Sequence, residues 1–442
     1  MDKPQIIKLL SDFIKIESVA TDETRFHQVL KAVEFLKKTL KEMGFEIKII
    51  NQDKASPLVV AQKIISPQAK TIGIYGHYDV QPEDPIDEWQ TKPFELTLDK
   101  GKFYGRGVAD NKGHIIQNIT SIKHLIKENK LKNNIIFVFE GEEEAGSSHF
   151  EELCKKTEGI LAKADVFYVT DMGMYKKNQP QIYYALRGNN YYELTVTIGK
   201  SDLHSGVYGN RVYNPINILA DLITKIKNVH TNKILIPHFY DQVRLPDEKE
   251  MILLKKIIRE QSEELKSAQV FQLVPSKTPS TLVSKIYPSF DVHGIIGGYI
   301  SVGGKTVIPK TAMVKFSFRL VENQKAEVID QLIKKFVMDN LPKGVKYELK
   351  TLGLGEPFYT DINNTYIKKT SLAMDLVFRR KTLINRSGGS VNAAEILQHL
   401  FKKPIILTGF TLSDDNIHAP NENFDEEMFW KGIEALTKIY SS

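Results

Sequence analysis

The chain has 442 residues, 42% of them hydrophobic, more than one hydrophobic core usually supports, so two domains are expected. Lysine and arginine outnumber aspartate and glutamate by 60 to 54, a net +6 with no concentrated basic block, which gives no footing for nucleic-acid binding. A single cysteine, Cys154, excludes an intrachain disulfide and a thiolate-only metal cluster and fits a reducing, cytoplasmic setting. The amino-terminal segment is interrupted by Lys and Asp, and no apolar run approaches the roughly 18 residues of a membrane span, so neither a signal peptide nor a membrane helix is expected.

Ile6, Leu10, Phe13 and Ile14 recur at helical spacing, as do Phe26, Val29, Val33, Leu36 and Leu40 up to Gly44, which predicts two opening amphipathic helices. Phe45, Ile47 and Ile49 alternate with charge like a half-buried strand, and Leu58 to Ala61 form a short run able to join the same sheet. Thr71 to Pro82, TIGIYGHYDVQP, then reads as a buried strand ending at His77, with Asp79 two residues on. Residues i and i+2 of a strand share a face, so the pair is expected at the carboxyl edge of the sheet, where open α/β sheets place their ligands. A carboxylate beside an imidazole suits a metal ligand whose ring is held by its neighbour, although an isolated pair of this kind more often serves a structural or solvated role.

Gly105 to Gly107 lacks the spacing of a dinucleotide loop. Asp110 stands just ahead of a helix with the apolar face Ile115, Ile119, Ile122 and Ile126; as a single residue it reads as that helix's cap, and His114 within the helix as a packed or exposed histidine. Ile135 to Phe139 is a continuous apolar run, as in a strand covered on both faces, and it empties into Glu140, Glu142, Glu143 and Glu144. Val166 to Val169 repeats the device, ending at Asp171. Strand and helix alternate throughout, which predicts an α/β domain with a doubly wound, mainly parallel sheet.

After Arg187 the pattern changes. Tyr191 to Ile198 and Ala312 to Leu320 alternate strictly, Asn214 to Lys227 and Ala326 to Met338 are helical in period, and Val345 to Leu349 is another strand, which predicts an α+β domain over 188–353. Within it, residues 229–290 are rich in Lys and Glu, with a long helix near Glu248 to Leu265, and read as surface elaboration. From Pro357 the first architecture resumes with a helix from Tyr366 to Phe378, the loop RSGGS, a helix from Asn392 to Leu400 and a strand from Pro404 to Leu407, followed by His418. The second domain is therefore expected as an insertion between a first part, 1–187, and a second, 354–442, of one catalytic domain.

His77, Asp110, Glu143, Glu144, Asp171 and His418 each fall at a predicted strand end or helix start, and their convergence is the functional signal. Two imidazoles with several carboxylates and no thiolate suit zinc, manganese or cobalt, and the surplus of carboxylates suits two ions bridged by one acid, a recurrent arrangement for hydrolysis. Adjacent like charges at Glu142 to Glu144 repel one another unless cations stand nearby.

The motifs GHYDVQP, GRGVADNKG, EGEEEAGS, SDLHSGVYG, DVHGI, GGKTVIP, FSFRLVEN and HAPNE, in this order over nearly the whole chain, resemble those of the co-catalytic di-zinc exopeptidases. That family includes carnosinases, cytosolic non-specific dipeptidases, glutamate carboxypeptidases and acyl-amino-acid deacylases, and DVHGI with GGKTVIP resembles the carnosinase-like branch in particular. The resemblance implies two divalent ions, His77 and Asp171 on one, Glu144 and His418 on the other, and Asp110 bridging. It implies that Asp79 holds His77, that Glu143 is the general base, and that the Asp110–Asn111 peptide is cis. It further implies that the inserted domain mediates homodimerisation and acts as a lid, that His204 reaches the partner's active site to stabilise the oxyanion, and that Thr306, Arg319 and Ser390 hold a peptide substrate, the arginine by its free carboxylate.

The backbone amides of Ser387 to Ser390, ahead of a helix, favour an anion in any case. In KFSFRL, Arg319 alternates with Phe316 and Phe318 and so faces away from its own domain's core. Glu142 departs from the branch, whose members often carry an apolar residue there. Two other functions share these residues: deacylation of N-acyl amino acids, and a catalytically silent dimeric scaffold, against which stands the retention of every ligand and the base.

Overall fold

The computed structural model describes residues 2–51, 55–258, 270–274 and 276–441, and the chain divides into two compact units. Unit 1 comprises residues 1–184, 360–385 and 391–442; unit 2 comprises 185–359 and 386–390.

Unit 1 is built on a mixed sheet whose middle is parallel. Thr71–His77 pairs in parallel with Asn134–Glu140 on one side and Val166–Thr170 on the other, and Val166–Thr170 pairs in parallel with Ile405–Thr408. Antiparallel strands close the margins: Leu58–Lys63 and then Glu46–Ile50 beyond Asn134–Glu140, and Gln181–Leu186 beside Ile405–Thr408. Every residue of Thr71–His77, Asn134–Glu140 and Val166–Thr170 is buried, the condition that makes continuous apolar runs stable as strands with both faces covered. Being parallel, these strands end on one edge, in His77, Glu140 and Thr170.

The helix Lys112–Lys127 packs directly on the central strand. Gly76 permits it: a Cβ there would stand 2.8 Å from Ile115 Cγ1 and 3.0 Å from Asn111 Oδ1. Ile115, Ile119 and Ile122 are buried as the periodicity predicts, but Leu125 rather than Ile126 completes the face. Polar Gln117 and Ser121 are buried as well, because the helix Glu426–Tyr440 covers the other side and accepts hydrogen bonds from them at Phe429 O and Ile433 O. Among the described residues no helix is long and apolar enough to cross a membrane.

Unit 2 carries a four-stranded antiparallel sheet in the order Ser289–Gly297, Thr311–Leu320, Gly188–Thr197, Lys346–Gly353. Gly188–Thr197 alternates buried and half-buried along its whole length, so one face packs on helices and the other does not. Tyr192, Leu194, Val196, Phe316 and Phe318 form the core with Leu219 and Leu222 of the helix Pro215–Ile226 and Ile329 and Ile333 of the helix Ala326–Asn340. Asn214 starts the first of these helices by accepting from Ile216 N, with Pro215 at the first helical position.

The charged stretch within 229–290 is more than surface elaboration. The helix Glu248–Ile258 buries Leu254 against Leu282 and Ile286, and Glu250 is fully buried because Arg244 caps its carboxylate with both terminal nitrogens. The remainder of the expected helix, 259–265, lies outside the described residues.

Candidate metal centre

Asp110 is the pivot of unit 1. Its Oδ1 lies 2.9 Å from His77 Nε2 and its Oδ2 lies 3.0 Å from His418 Nε2, so one carboxylate turns one oxygen to each imidazole. Asp171 Oδ1 approaches His77 Nε2 at 3.5 Å, and Glu144 Oε2 approaches His418 Nε2 at 3.1 Å. The result is two groups that share Asp110: His77, Asp110 and Asp171, and Asp110, Glu144 and His418, the potential ligand atoms of each lying within 4.8 Å of one another.

Each side chain arrives from a different element. His77 ends the central strand, Asp171 follows the neighbouring parallel strand, Glu144 lies in a short 3-10 turn after Asn134–Glu140, and His418 lies in the loop after Ile405–Thr408, on a left-handed backbone with φ of 63°. The Asp110–Asn111 peptide is cis.

Asp110 does not cap the helix that follows. Asn111 occupies the cap position without a capping bond; its amide instead donates to Thr170 O at 2.9 Å and Asp171 Oδ1 at 2.7 Å, fixing that carboxylate. Asp110 is fixed from the other side by Glu422, which accepts from the backbone N–H groups of Gly107, Ala109 and Asp110 at 2.9 to 3.0 Å and pairs with Arg106 at 2.8 Å. Neither Asn111 nor Glu422 stood out in the sequence. The only signal was position: one follows Asp110, and the other closes the HAPNE motif containing His418.

Asp79 acts differently from the simple strand picture. Its backbone oxygen lies 3.1 Å from His77 Nδ1 and its Oδ1 3.4 Å away, while the carboxylate accepts from the N–H groups of Glu143 and Glu144 at 3.3 and 3.0 Å. The strand has ended at His77, so Asp79 is free to turn and clamp the acidic loop. Glu142 points elsewhere: it accepts from Ser56 N at 2.7 Å and from His149 N, with His149 Nδ1 at 2.9 Å. His114 is a packed histidine, its Nδ1 against Ala109 O and its Nε2 accepting from Phe410 N.

The electrostatics follow from packing acids together. Burial disfavours charge on His77, yet Asp171, Asp110 and Asp79 outweigh it and hold the ring well above the ordinary imidazole range. Hydrogen bonds to Asp110 and Glu144 raise His418 to about 10 despite partial burial. Burial pushes Glu143 up to about 9, with Asp171, Asp110 and Glu140 adding to the shift and His77 opposing it. Burial alone would raise Asp110 as well, but the two imidazoles reverse its direction and hold it low.

These residues fit divalent cations on their own chemistry. The donors are imidazole nitrogens and carboxylate oxygens, the set preferred by zinc, manganese and cobalt. Glu144 Oε1 is buried without a hydrogen-bond partner among the described residues, and His77 has acceptors at both ring nitrogens, Asp79 O at Nδ1 and Asp110 Oδ1 at Nε2, which a neutral ring with one N–H does not satisfy.

Four further residues of interest, Arg319, Ser390, His204 and Thr306, lie in unit 2. Arg319 Nη1 donates to Ser390 Oγ at 3.2 Å, on the sheet face opposite the Phe316 and Phe318 core. His204 is exposed, in the short strand Leu203–His204 that pairs with Val307–Ile308, and Ser205 N donates to Thr306 O. His204 Nδ1 accepts from Gly206 N at 3.0 Å, so the neutral ring carries its proton on Nε2.

The chain matches the model of peptidase family M20/M25/M40 over residues 73–442. It is 31% identical to the Cys-Gly metallodipeptidase dug1 of Schizosaccharomyces pombe across 98% of this chain and 94% of that protein. It is 29% identical to the human Beta-Ala-His dipeptidase across 100% of this chain and 90% of that one. Among solved structures it is similar to the M20 family metallo-carboxypeptidase Sso-CP2 from Sulfolobus solfataricus, with a TM-score of 0.89, 31% identity and coverage of 100% and 99%. Human carnosine dipeptidase 1 follows with a TM-score of 0.80, 27% identity and coverage of 99% and 95%. The match to the family model and these similarities place the chain in peptidase family M20/M25/M40.

Proposed function

We propose that this peptidase is a dipeptidase that cleaves dipeptides and short peptides with a free C-terminus at a centre of two divalent metal ions, zinc in the first instance, with manganese or cobalt as alternatives. The observation that carries this reading is the division of the Asp110 carboxylate between His77 and His418, each accompanied by one further acid, Asp171 and Glu144. His77 and Asp171 would hold one ion, Glu144 and His418 the other, and Asp110 both. Such a pair supplies Lewis acidity, polarising the scissile carbonyl and lowering the pKa of water.

The rest of the chemistry belongs to the chain. Glu143, whose burial raises its affinity for a proton, acts from its carboxylate form, taking a proton from the attacking water and returning it to the leaving amine. Asp79 keeps that carboxylate in place through the backbone N–H groups of Glu143 and Glu144, and sets the ring of His77. Arg319 offers its guanidinium fork to the substrate's C-terminal carboxylate, aided by Ser390, while Thr306 lies beside the His204 segment.

His204, protonated on Nε2 and exposed, donates to the oxyanion of the partner's substrate in a cytoplasmic homodimer. A surface for that partner is available in unit 2, where the edge strand Ser289–Gly297 exposes Val292, Ile295 and Ile296. The reading is tested by stripping the protein with a chelator, restoring zinc, manganese or cobalt, and following hydrolysis of a dipeptide panel beside N-acetyl amino acids. Activity that survives full metal removal, or that is confined to the N-acetyl compounds, overturns it.

A further inference from the structure

Several buried and half-buried guanidiniums among the described residues are matched to acids. Arg106 pairs with Glu422, Arg386 with Glu322, and Arg244 with both Glu250 and Glu322. Arg187 is not. It is partly buried, and among the described residues no carboxylate lies within ion-pair distance of it. Its Nε donates to Gly388 O at 2.8 Å and its Nη1 to Ser289 Oγ at 3.3 Å, and Nη2 has no hydrogen-bond partner among the described residues. Asp291 is near enough to act on it electrostatically, but that carboxylate is engaged by Ser289 Oγ at 3.1 Å and by Lys227 at 3.8 Å.

Its location gives this imbalance a meaning. Ser289, which Arg187 grips, is the cross-strand neighbour of Arg319. Arg187 also holds the loop from Ser387 to Ser390 at two points, through the Gly388 carbonyl and through its own N–H to Gly389 O at 3.0 Å, and Arg319 holds the same loop at Ser390. Two guanidiniums therefore stand on one short loop, close enough that Arg319 adds to the effect of burial in pushing Arg187 down to about 10. Gly388 lets the loop lie close to the guanidinium, since a Cβ there would stand 3.5 Å from Nη2 and 3.1 Å from Ser284 O. A half-buried cation beside a second cation is costly unless an anion is at hand.

We propose that Arg187 is a second carboxylate-reading group, and that this enzyme favours dipeptides whose C-terminal residue is itself acidic, Arg319 taking the α-carboxylate and Arg187 the side-chain carboxylate. The inference rests on the peptidase reading above and names a substrate class within it.

Ala-Glu and Ala-Gln, nearly equal in shape and different in charge, make the test. The wild-type enzyme is expected to show a kcat/KM at least about 10-fold higher for Ala-Glu, the low end of what one charged hydrogen bond contributes. Arg187→Met should lose activity on both, because the loop it holds is shared, but roughly 10-fold more on Ala-Glu, so that the preference collapses to within about 2-fold. Arg187→Lys, which keeps the charge and loses the planar fork, should keep part of the preference.

Equal wild-type kcat/KM for the two substrates, or equal losses on both in Arg187→Met, overturns the proposal. A parallel measurement of binding to the Glu143→Ala protein separates it from the peptidase reading. Tighter binding of Ala-Glu than Ala-Gln there supports Arg187 even if neither peptide is hydrolysed by the wild type, and equal binding refutes Arg187 even if both are.

Discussion

The acidic centre of unit 1 and the arginine-bearing loop of unit 2 are unbalanced in opposite senses. Around Asp110, the acids Asp79, Glu143, Glu144 and Asp171 outnumber the two imidazoles, and the histidines are driven toward their charged forms to compensate. Around Ser390, Arg187 and Arg319 share one loop, and the carboxylate nearest to Arg187 in its electrostatics, Asp291, is already occupied. They also differ in what supports them. Asp171 and Glu144 accept from the side-chain amides of Asn111 and Gln81, and Asp110 donates its own N–H to Glu422, whereas Arg319 donates to the Ser390 hydroxyl of a loop that Arg187 also grips. The comparison teaches that charge imbalance in a folded interior points to the sign of what binds.

The largest effect should come from the acidic side. Glu143→Ala should lower kcat by about 10²- to 10⁴-fold, the range for lost general-base catalysis, with metal content unchanged by elemental analysis. Wild-type turnover in that variant would mean that the carboxylates only balance charge. Next in size is His204. A donor at the oxyanion is worth about 10²- to 10³-fold in kcat, so His204→Ala should fall by that amount, and mixing it with Glu143→Ala should restore part of the activity in exchanged dimers. No recovery in subunits shown to exchange would remove the trans role.

Arg319→Ala breaks the comparison from the other side. A charged hydrogen bond contributes roughly 1.5 to 3 kcal/mol, so kcat/KM for free dipeptides should drop about 10- to 150-fold, while a C-terminally amidated dipeptide, already poor, should change little. Wild-type enzyme that cleaves amidated and free dipeptides equally would show that the positive charge of unit 2 serves something other than a C-terminal carboxylate.

How much of this was legible in the sequence depended on whether a residue's role was local. His77, Asp171 and Glu144 could be placed because a continuous apolar run predicts a buried strand, and the residues just past it must emerge at the sheet's carboxyl edge. Buried Gln117 and Ser121 defeated the helix periodicity, since nothing near them announces the covering helix Glu426–Tyr440. Glu250 looked like one more surface charge until Arg244 was seen folded onto it. Glu422 is the clearest case: its four acceptor contacts reach residues more than 300 positions away, which no spacing rule reaches. Glu422→Gln exchanges one acceptor for a donor facing backbone N–H groups. The expected loss is about 10- to 100-fold in metal affinity by chelator competition, the usual cost of removing such a support, and wild-type affinity would show that the Asp110 loop needs no such anchor.

The smallest change in activity is expected at Glu142, although it stands beside the proposed base. Its carboxylate is buried but turned away, accepting from Ser56 N, His149 N and the His149 ring, so it ties the acidic loop to two other segments and brings no charge to the metal centre. Glu142→Gln keeps the shape, loses the charge-assisted character of these bonds, and sets an amide NH₂ against a backbone donor. Such a mismatch costs about 1 to 3 kcal/mol of stability, which denaturant titration can resolve. Turnover should stay within about threefold, since that factor corresponds to only about 0.7 kcal/mol in the barrier. A loss comparable to that of Glu143→Ala would mean that the loop's geometry, and not the Glu143 carboxylate alone, sets the rate.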